Sequence, residues 1–239
     1  MLVAALYDVH GNTPALEAVL AELDGVGPDA VVFGGDLAAG ALPRETIALA
    51  RTVPNARFVQ GNADRLMVTG SESGSPVIGW PSTQLDDDDR TFLSSFELTV
   101  VVDDVLYCHA TPYDDEPFVT VHTTPEIARN TIGEVEQPTV VIGHTHSQFD
   151  WQLGDLRLVN AGSVGMPYED RPGAYWALAR DGDLELRRTD YDLEAAAERI
   201  RRTGWPIAEE WVNDNLLTVP TARDAAEFFE AQRARRAEE

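Results

Sequence analysis

The sequence predicts an α/β fold with a helical appendage, on three observations. Short apolar runs at residues 2–6, 30–33 and 56–59 alternate with helical periodicity at residues 14–23 and 44–51, which is a βαβαβ opening. Later runs at residues 98–102, 105–108, 140–142, 149–153, 156–159, 175–179 and 184–188 are separated by short turns, which predicts a mostly antiparallel second half. From Leu193 onward helical periodicity returns, breaks at residues 204–206 and near Pro220, and ends in a mixed-charge tail expected to fray.

Each element has a local cause. Strands covered on both faces read as continuous apolar runs, as the first three do. Thr13 before Pro14 predicts a helix entry with Thr13 as capping hydroxyl, and Glu17 adds favourable charge there. Residues 71–79, rich in Ser, Gly and Pro, predict a loop. At residues 86–89 the run DDDD precedes apolar positions that share one helix face with Leu85, namely Phe92, Leu93 and Phe96. Those acids therefore occupy first turns, where the helix dipole favours them, and the run lacks the glycine and spaced ligands of a calcium loop. Asp103 and Asp104 predict a hairpin turn.

Composition narrows the function classes. With 239 residues and 44% apolar content the chain can bury one substantial core with a modest appendage. No apolar run reaches membrane-span length, and the opening MLVAAL is cut off by Asp8 without a signal-peptide pattern, so the expectation is a cytoplasmic protein with no membrane partner. The formal net charge is −23 and all 18 basic residues are Arg, which argues against stable nucleic-acid binding. Cys108 is the only cysteine, so an intrachain disulfide and a cysteine metal cage are both excluded. Any metal must be held by His, Asp and Asn.

Those residue types recur at strand ends. The segment LYDVHGN carries Asp8 and His10, VVFGGD carries Asp36, RFVQGNAD carries Asn62, LYCHAT carries His109, and GHTH carries His144 and His146. Groups just past the carboxyl ends of strands in an α/β sheet gather in one crevice. Side chains two apart on an extended segment point the same way, so both imidazoles of GHTH can face one centre. Seven oxygen and nitrogen donors exceed one tetrahedral ion and suit two ions that share a carboxylate.

This ordered set, D-x-H, GD, GN, a strand-end His and GHTH, resembles the calcineurin-like metallophosphoesterase superfamily over roughly residues 1–190. Within it the chain is similar to the small bacterial and archaeal phosphodiesterase branch, through GN-x-D and the late segment NAGSVGMP with Asn160 and Ser163. The resemblance implies a four-layer αββα sandwich at residues 1–190, and the helical periodicity beyond it predicts a C-terminal helical extension at residues 191–239 packed on the same domain. It implies that Asp8, His10 and His146 bind one metal, that Asn62, His109 and His144 bind a second, and that Asp36 bridges them. Manganese is the expected ion, with Fe, Co, Ni or Zn also compatible with these donors. Two such ions would hold a bridging hydroxide for in-line attack on a small phosphate ester, most simply a diester. The alternatives are a phosphomonoesterase or protein phosphatase, and a non-catalytic scaffold of the same fold.

One departure stands out. Where the family often has a histidine after the GN asparagine, this chain has Ala63, which predicts a preference for diesters with acidic leaving groups. Asp64 would orient a neighbouring ligand by hydrogen bonding, or serve as a turn aspartate. His122 lies outside the set and reads as structural or exposed. Arg65 and Arg171 either clamp phosphate or are surface ions. Tyr7, Trp80, Tyr113 and Tyr168 either stack on a substrate ring or cover the sheet edge. Cys108, one residue before His109 on a strand, should point away from the site and be inert.

Overall fold

The computed structural model describes residues 1–70 and 74–236. In the first sheet β1 (Leu2–Leu6), β2 (Ala30–Phe33) and β3 (Ala56–Phe58) run parallel, connected by α1 (Thr13–Val26) and α2 (Pro43–Ala50). In the second, β4 (Thr99–Val102), β5 (Val105–Cys108), β6 (Thr139–Ile142), β7 (Phe149–Leu153) and β8 (Leu156–Asn160) stand in the order β4-β5-β6-β8-β7. The chain then returns to the first sheet, where β9 (Ala174–Arg180) and β10 (Asp183–Thr189) complete the order β10-β9-β1-β2-β3.

Alternation along the strands builds the layers. Ala4 and Leu6 of β1 pack with Leu16, Val19 and Ile47 of the outer helices, while Val3, Ala5 and Tyr7 pack with Tyr107, Val141 and Val159 of the other sheet. On the second sheet Val140 and Ile142 turn outward to Ala128 and Ile132 of α6 (Pro125–Ile132). The outcome is helix, sheet, sheet, helix, the four-layer sandwich. The Tyr7 hydroxyl donates to the Val141 carbonyl at 2.8 Å and so ties the two sheets together.

The first sheet's outer layer also holds α3 (Asn62–Thr69), α4 (Gly79–Gln84) and α5 (Asp87–Ser94). Beyond β10 come α7 (Leu193–Arg201), α8 (Ala208–Val212), a π-helical turn at Asn213–Leu217 and α9 (Ala222–Arg236). Trp205, Trp211, Ile200 and Leu216 from these segments form a further apolar cluster against Ala41 and Leu42. No helix among the described residues is long and apolar enough to cross a membrane.

Three expectations change. The second half is antiparallel at its hairpins, but β6 pairs parallel with both β5 and β8, because the β5–β6 connection crosses over through α6. The cap of α1 is Asn12, whose Oδ1 accepts from Ala15 N–H, while the Thr13 hydroxyl bonds that of Thr46 on α2. The loop expected at residues 71–79 gives way to α4 at Gly79, and residues 71–73 lie outside the described residues, as does the tail at residues 237–239. The acidic run does start a helix: Asp86 caps α5 by accepting from Asp88 and Asp89 N–H, and Arg44 pairs with it.

Candidate metal centre

Beyond β1 the chain leaves the sheet and is laced to the end of β2. Asp8 N–H donates to the Gly35 carbonyl at 3.1 Å, His10 N–H to Asp36 at 2.9 Å and Gly11 N–H to Leu37 at 3.0 Å. The late NAGSVG segment braces this turn and the GHTH turn after β6: the Ser163 hydroxyl donates to the Asp8 carbonyl at 2.7 Å, and the Asn160 amide donates to the Gly143 carbonyl at 2.8 Å. Bracing is needed because Asp8, His10, Asp36, His144 and His146 all have positive φ, between 48° and 65°. That conformation costs an L-residue roughly 1 kcal/mol or more, so strain is concentrated at the ligand-type residues.

Two glycines admit the carboxylates. A Cβ on Gly61 would stand 2.2 Å from Asp36 Oδ1, and one on Gly143 would stand 2.4 Å from Asp8 Oδ2. The glycine of GN and the first of GHTH are therefore places where a carboxylate occupies the space of a side chain. Asp64, the third residue of α3, accepts from Leu37 N–H at 3.0 Å and from Gly61 N–H at 3.2 Å, which joins the loop of Asp36 to that of Asn62.

All seven predicted residues converge. Asp8, His10 and His146 offer ligand atoms within 4.8 Å of one another, and Asp36, His109 and His144 form a second such group. Asn62 Oδ1 lies 3.1 Å from His109 Nε2. Asp36 Oδ2 stands between the groups, 3.7 Å from His10 Nε2 and 3.6 Å from His109 Nε2.

The histidine tautomers follow from their outer partners. His10 Nδ1, His109 Nδ1, His144 Nε2 and His146 Nδ1 face the carbonyls of Ala39, Gly34, Glu116 and Met166 at 3.2, 3.0, 3.2 and 2.7 Å. A carbonyl only accepts, so each of these nitrogens carries the proton and the other presents a lone pair. The inner nitrogens then confront one another: His10 Nε2 and His146 Nε2 at 3.2 Å, His109 Nε2 and His144 Nδ1 at 3.1 Å. Facing lone pairs repel. The buried Asp8 Oδ1, moreover, has no hydrogen-bond donor. Inward lone pairs and an orphaned carboxylate oxygen are what divalent cations need, so the residues fit a metal centre.

Charge states agree. Burial, reinforced by His146, lowers the pKa of His10, and burial with His109 pushes His144 down to about 3, so both rings are neutral at pH 7. For Asp8 burial alone would raise the carboxyl, but His146, His109 and His10 hold it well below the usual carboxylate range. His109 is the exception: burial lowers its pKa, but Asp36 and Asp8 outweigh burial and raise it, which favours the charged ring until a cation takes the inner nitrogen.

Residues 1–182 match the calcineurin-like phosphoesterase superfamily domain. The chain belongs to that superfamily. It is 27% identical over 245 residues to an uncharacterized protein of Methanocaldococcus jannaschii, across 90% of this chain and 97% of the relative. Its fold is similar to that of a metallophosphoesterase from Sphaerobacter thermophilus, with TM-score 0.75, 22% identity and cover of 94% of this chain and 100% of that one. A hypothetical protein from Pyrococcus horikoshii gives TM-score 0.78, 19% identity and cover of 91% and 99%. These covers reach well past residue 182, so the shared fold takes in part of the C-terminal helices.

In this superfamily member the last helix reaches the candidate metal centre, which the sequence did not reveal. Phe229 of α9 packs on Phe118 at 4.9 Å between ring centroids, with Tyr168 at 6.1 Å and His144 at 6.5 Å. Glu230 accepts from the hydroxyls of Thr120 and Thr123 at 2.7 and 2.8 Å and so pins the helix beside the site.

The remaining candidates separate cleanly. Tyr168 stacks on the His146 ring at 4.7 Å, whereas Tyr7 is buried between the sheets and Trp80 stacks on Trp205. Tyr113 is exposed and donates to the Glu134 carbonyl. Arg65 is engaged by Asp115 and Glu116, so it clamps carboxylates. Arg171 and His122 are exposed. Cys108 lies in the cluster on the outer face of the second sheet, and burial pushes its thiol pKa far up. Ala63 is buried at the start of α3 with its N–H donating to Asp36 Oδ1 at 2.8 Å.

Proposed function

We propose that the chain is a metal-dependent phosphodiesterase, with Asp8, His10 and His146 holding one divalent cation, Asn62, His109 and His144 a second, and Asp36 shared. The observation that carries this is the pair of facing imidazole lone pairs, 3.2 and 3.1 Å apart, on either side of the Asp36 carboxylate. Manganese is the ion we expect. Two bound cations would supply Lewis-acid polarisation of the phosphoryl oxygens and an activated attacking water.

The chain's own groups do the rest. Four backbone carbonyls hold the imidazoles in one tautomer and orientation, so little reorganisation accompanies binding. Ala63 N–H fixes one oxygen of Asp36 and leaves the other turned toward both groups. The supposed donor position carries only the Ala63 methyl, which supports diesters whose leaving group departs without a proton.

The test uses metal-stripped protein titrated with Mn²⁺, with bis(4-nitrophenyl) phosphate compared with 4-nitrophenyl phosphate. Metal-dependent turnover of the diester, faster than of the monoester and lost in Asp36→Asn, is expected. Faster monoester turnover would move the assignment to a phosphatase, and two bound ions without turnover of either ester would refute catalysis.

A further inference from the structure

Beside the metal centre, His10, Asp36 and Asn62 form one wall of a cavity of about 170 Å³. The remaining wall is largely apolar, made by Ala63, Leu66, Val77, Ile78, Met166 and Trp211. These six come from α3, the turn before α4, the loop after β8, and α8, so four separate parts of the chain meet to shape it. The far wall is held in place. Trp205 Nε1 donates to the Pro76 carbonyl at 2.9 Å, next to Val77, and the Trp205 ring packs on Trp211 at 5.8 Å.

We propose that this cavity is the subsite for one ester substituent, and that the substituent is apolar and no larger than a single aromatic ring. The proposal rests on the phosphoesterase assignment and adds a substrate class to it. An enclosed apolar cavity of about 150 Å³ holds one benzene, so the volume here suits one ring or a branched alkyl group, and a whole nucleoside would project from its open side. Polar ester groups would lose hydration against Leu66, Ile78, Met166 and Trp211, with Ser75 the one hydroxyl residue in the lining to offset it. Ala63 is the residue that makes room: a histidine there would project from the start of α3 and take up part of the volume with a polar ring.

Binding of product-like anions to the Mn²⁺-loaded protein tests this without turnover. Calorimetry is run with methylphosphonate, phenylphosphonate and thymidine 5′-monophosphate on the native chain, Trp211→Ala and Val77→Trp. Val77 is 38% exposed, so its replacement narrows the cavity without disturbing the core. Phenylphosphonate should bind the native chain at least about tenfold more tightly than methylphosphonate, as burial of most of a ring implies. It should also bind more tightly than the nucleotide, and the phenyl advantage should shrink in both variants. Equal affinity for phenyl and methyl, tighter binding of the nucleotide, or an advantage undiminished in both variants would overturn the subsite. The two readings fail separately. Hydrolysis of bis(4-nitrophenyl) phosphate with no phenyl preference overturns the subsite alone, whereas phenyl preference in a protein that hydrolyses no ester upholds the subsite and overturns the catalytic assignment.

Discussion

Replacing Gly61 by Ala probes the close approach of the Asn62 loop to Asp36. Gly61 has φ −96° and ψ 164°, which alanine adopts freely, so the effect is steric and not conformational. The new Cβ would meet Asp36 Oδ1 at 2.2 Å and the Asp36 backbone nitrogen at 2.3 Å. Non-bonded heavy atoms settle near 3.5 Å, so the Asn62 loop and the Asp36 loop must part by roughly 1 Å. Misplacement on that scale costs on the order of 100-fold in rate, and the forced shift costs about 1–3 kcal/mol of stability. Because backbone forms part of the obstacle, side-chain rotation alone does not relieve it. The assays are Mn²⁺ calorimetry, urea unfolding and diester turnover. Gly25→Ala, in α1 with nothing within 4 Å of the added carbon, is the control and should gain about 0.5–1 kcal/mol. Native metal affinity and native stability in Gly61→Ala would refute the steric reasoning.

Ser163→Ala removes a buried hydroxyl that donates to Asp8 and accepts from Met166 N–H at 2.8 Å; an unfolding loss of about 1–3 kcal/mol is expected, and an unchanged urea midpoint would contradict it. Burial, aided by Asp170 and opposed by the Gln148 N–H, raises the Glu169 pKa from 4.5 to about 7. A raised acid contributes stability that is complete below pH 4.5 and lost as pH rises through 7, so Glu169→Gln should gain on the native chain across that window, and a constant difference in unfolding midpoint from pH 4 to 8 would count against it. The net charge of −23 should slow approach of anionic substrates, so moderate salt should raise kcat/KM at constant free metal; a flat or falling series would show that the field does not govern encounter.

The convergence of the seven candidate residues was legible because each follows an apolar strand, and strand order in α/β folds sends strand ends to one crevice. The preceding glycines were visible too, but their purpose, making room for Asp36 and Asp8, belongs to contacts between segments far apart in sequence. Asn160 and Ser163 were noticed only as parts of a motif; their hydrogen bonds to the turns carrying the ligands give them a physical task. Local rules misplaced the α1 cap because Asn12 and Thr13 are both good capping residues, and the contact of Thr13 with Thr46 decided between them. The parallel centre of the second sheet was missed because strand runs carry no sign of direction. The reach of α9 to Phe118 was equally hidden, since Phe229 sits in a charged helix whose apolar positions trace no continuous stripe.

The position of α9 also bears on how the protein matures. Translation delivers all seven candidate ligands by His146, then β9, which pairs with β1, and only afterwards the helix that carries Phe229 and Glu230. A chain that folds as it is made would therefore hold the complete donor set before α9 arrives to wall one side of it. An ion taken up at that stage would meet the widest entrance. In the finished chain the side walled by α9 would open by loosening Glu230 from Thr120 and Thr123, which makes those two hydrogen bonds one control on how fast an ion is exchanged.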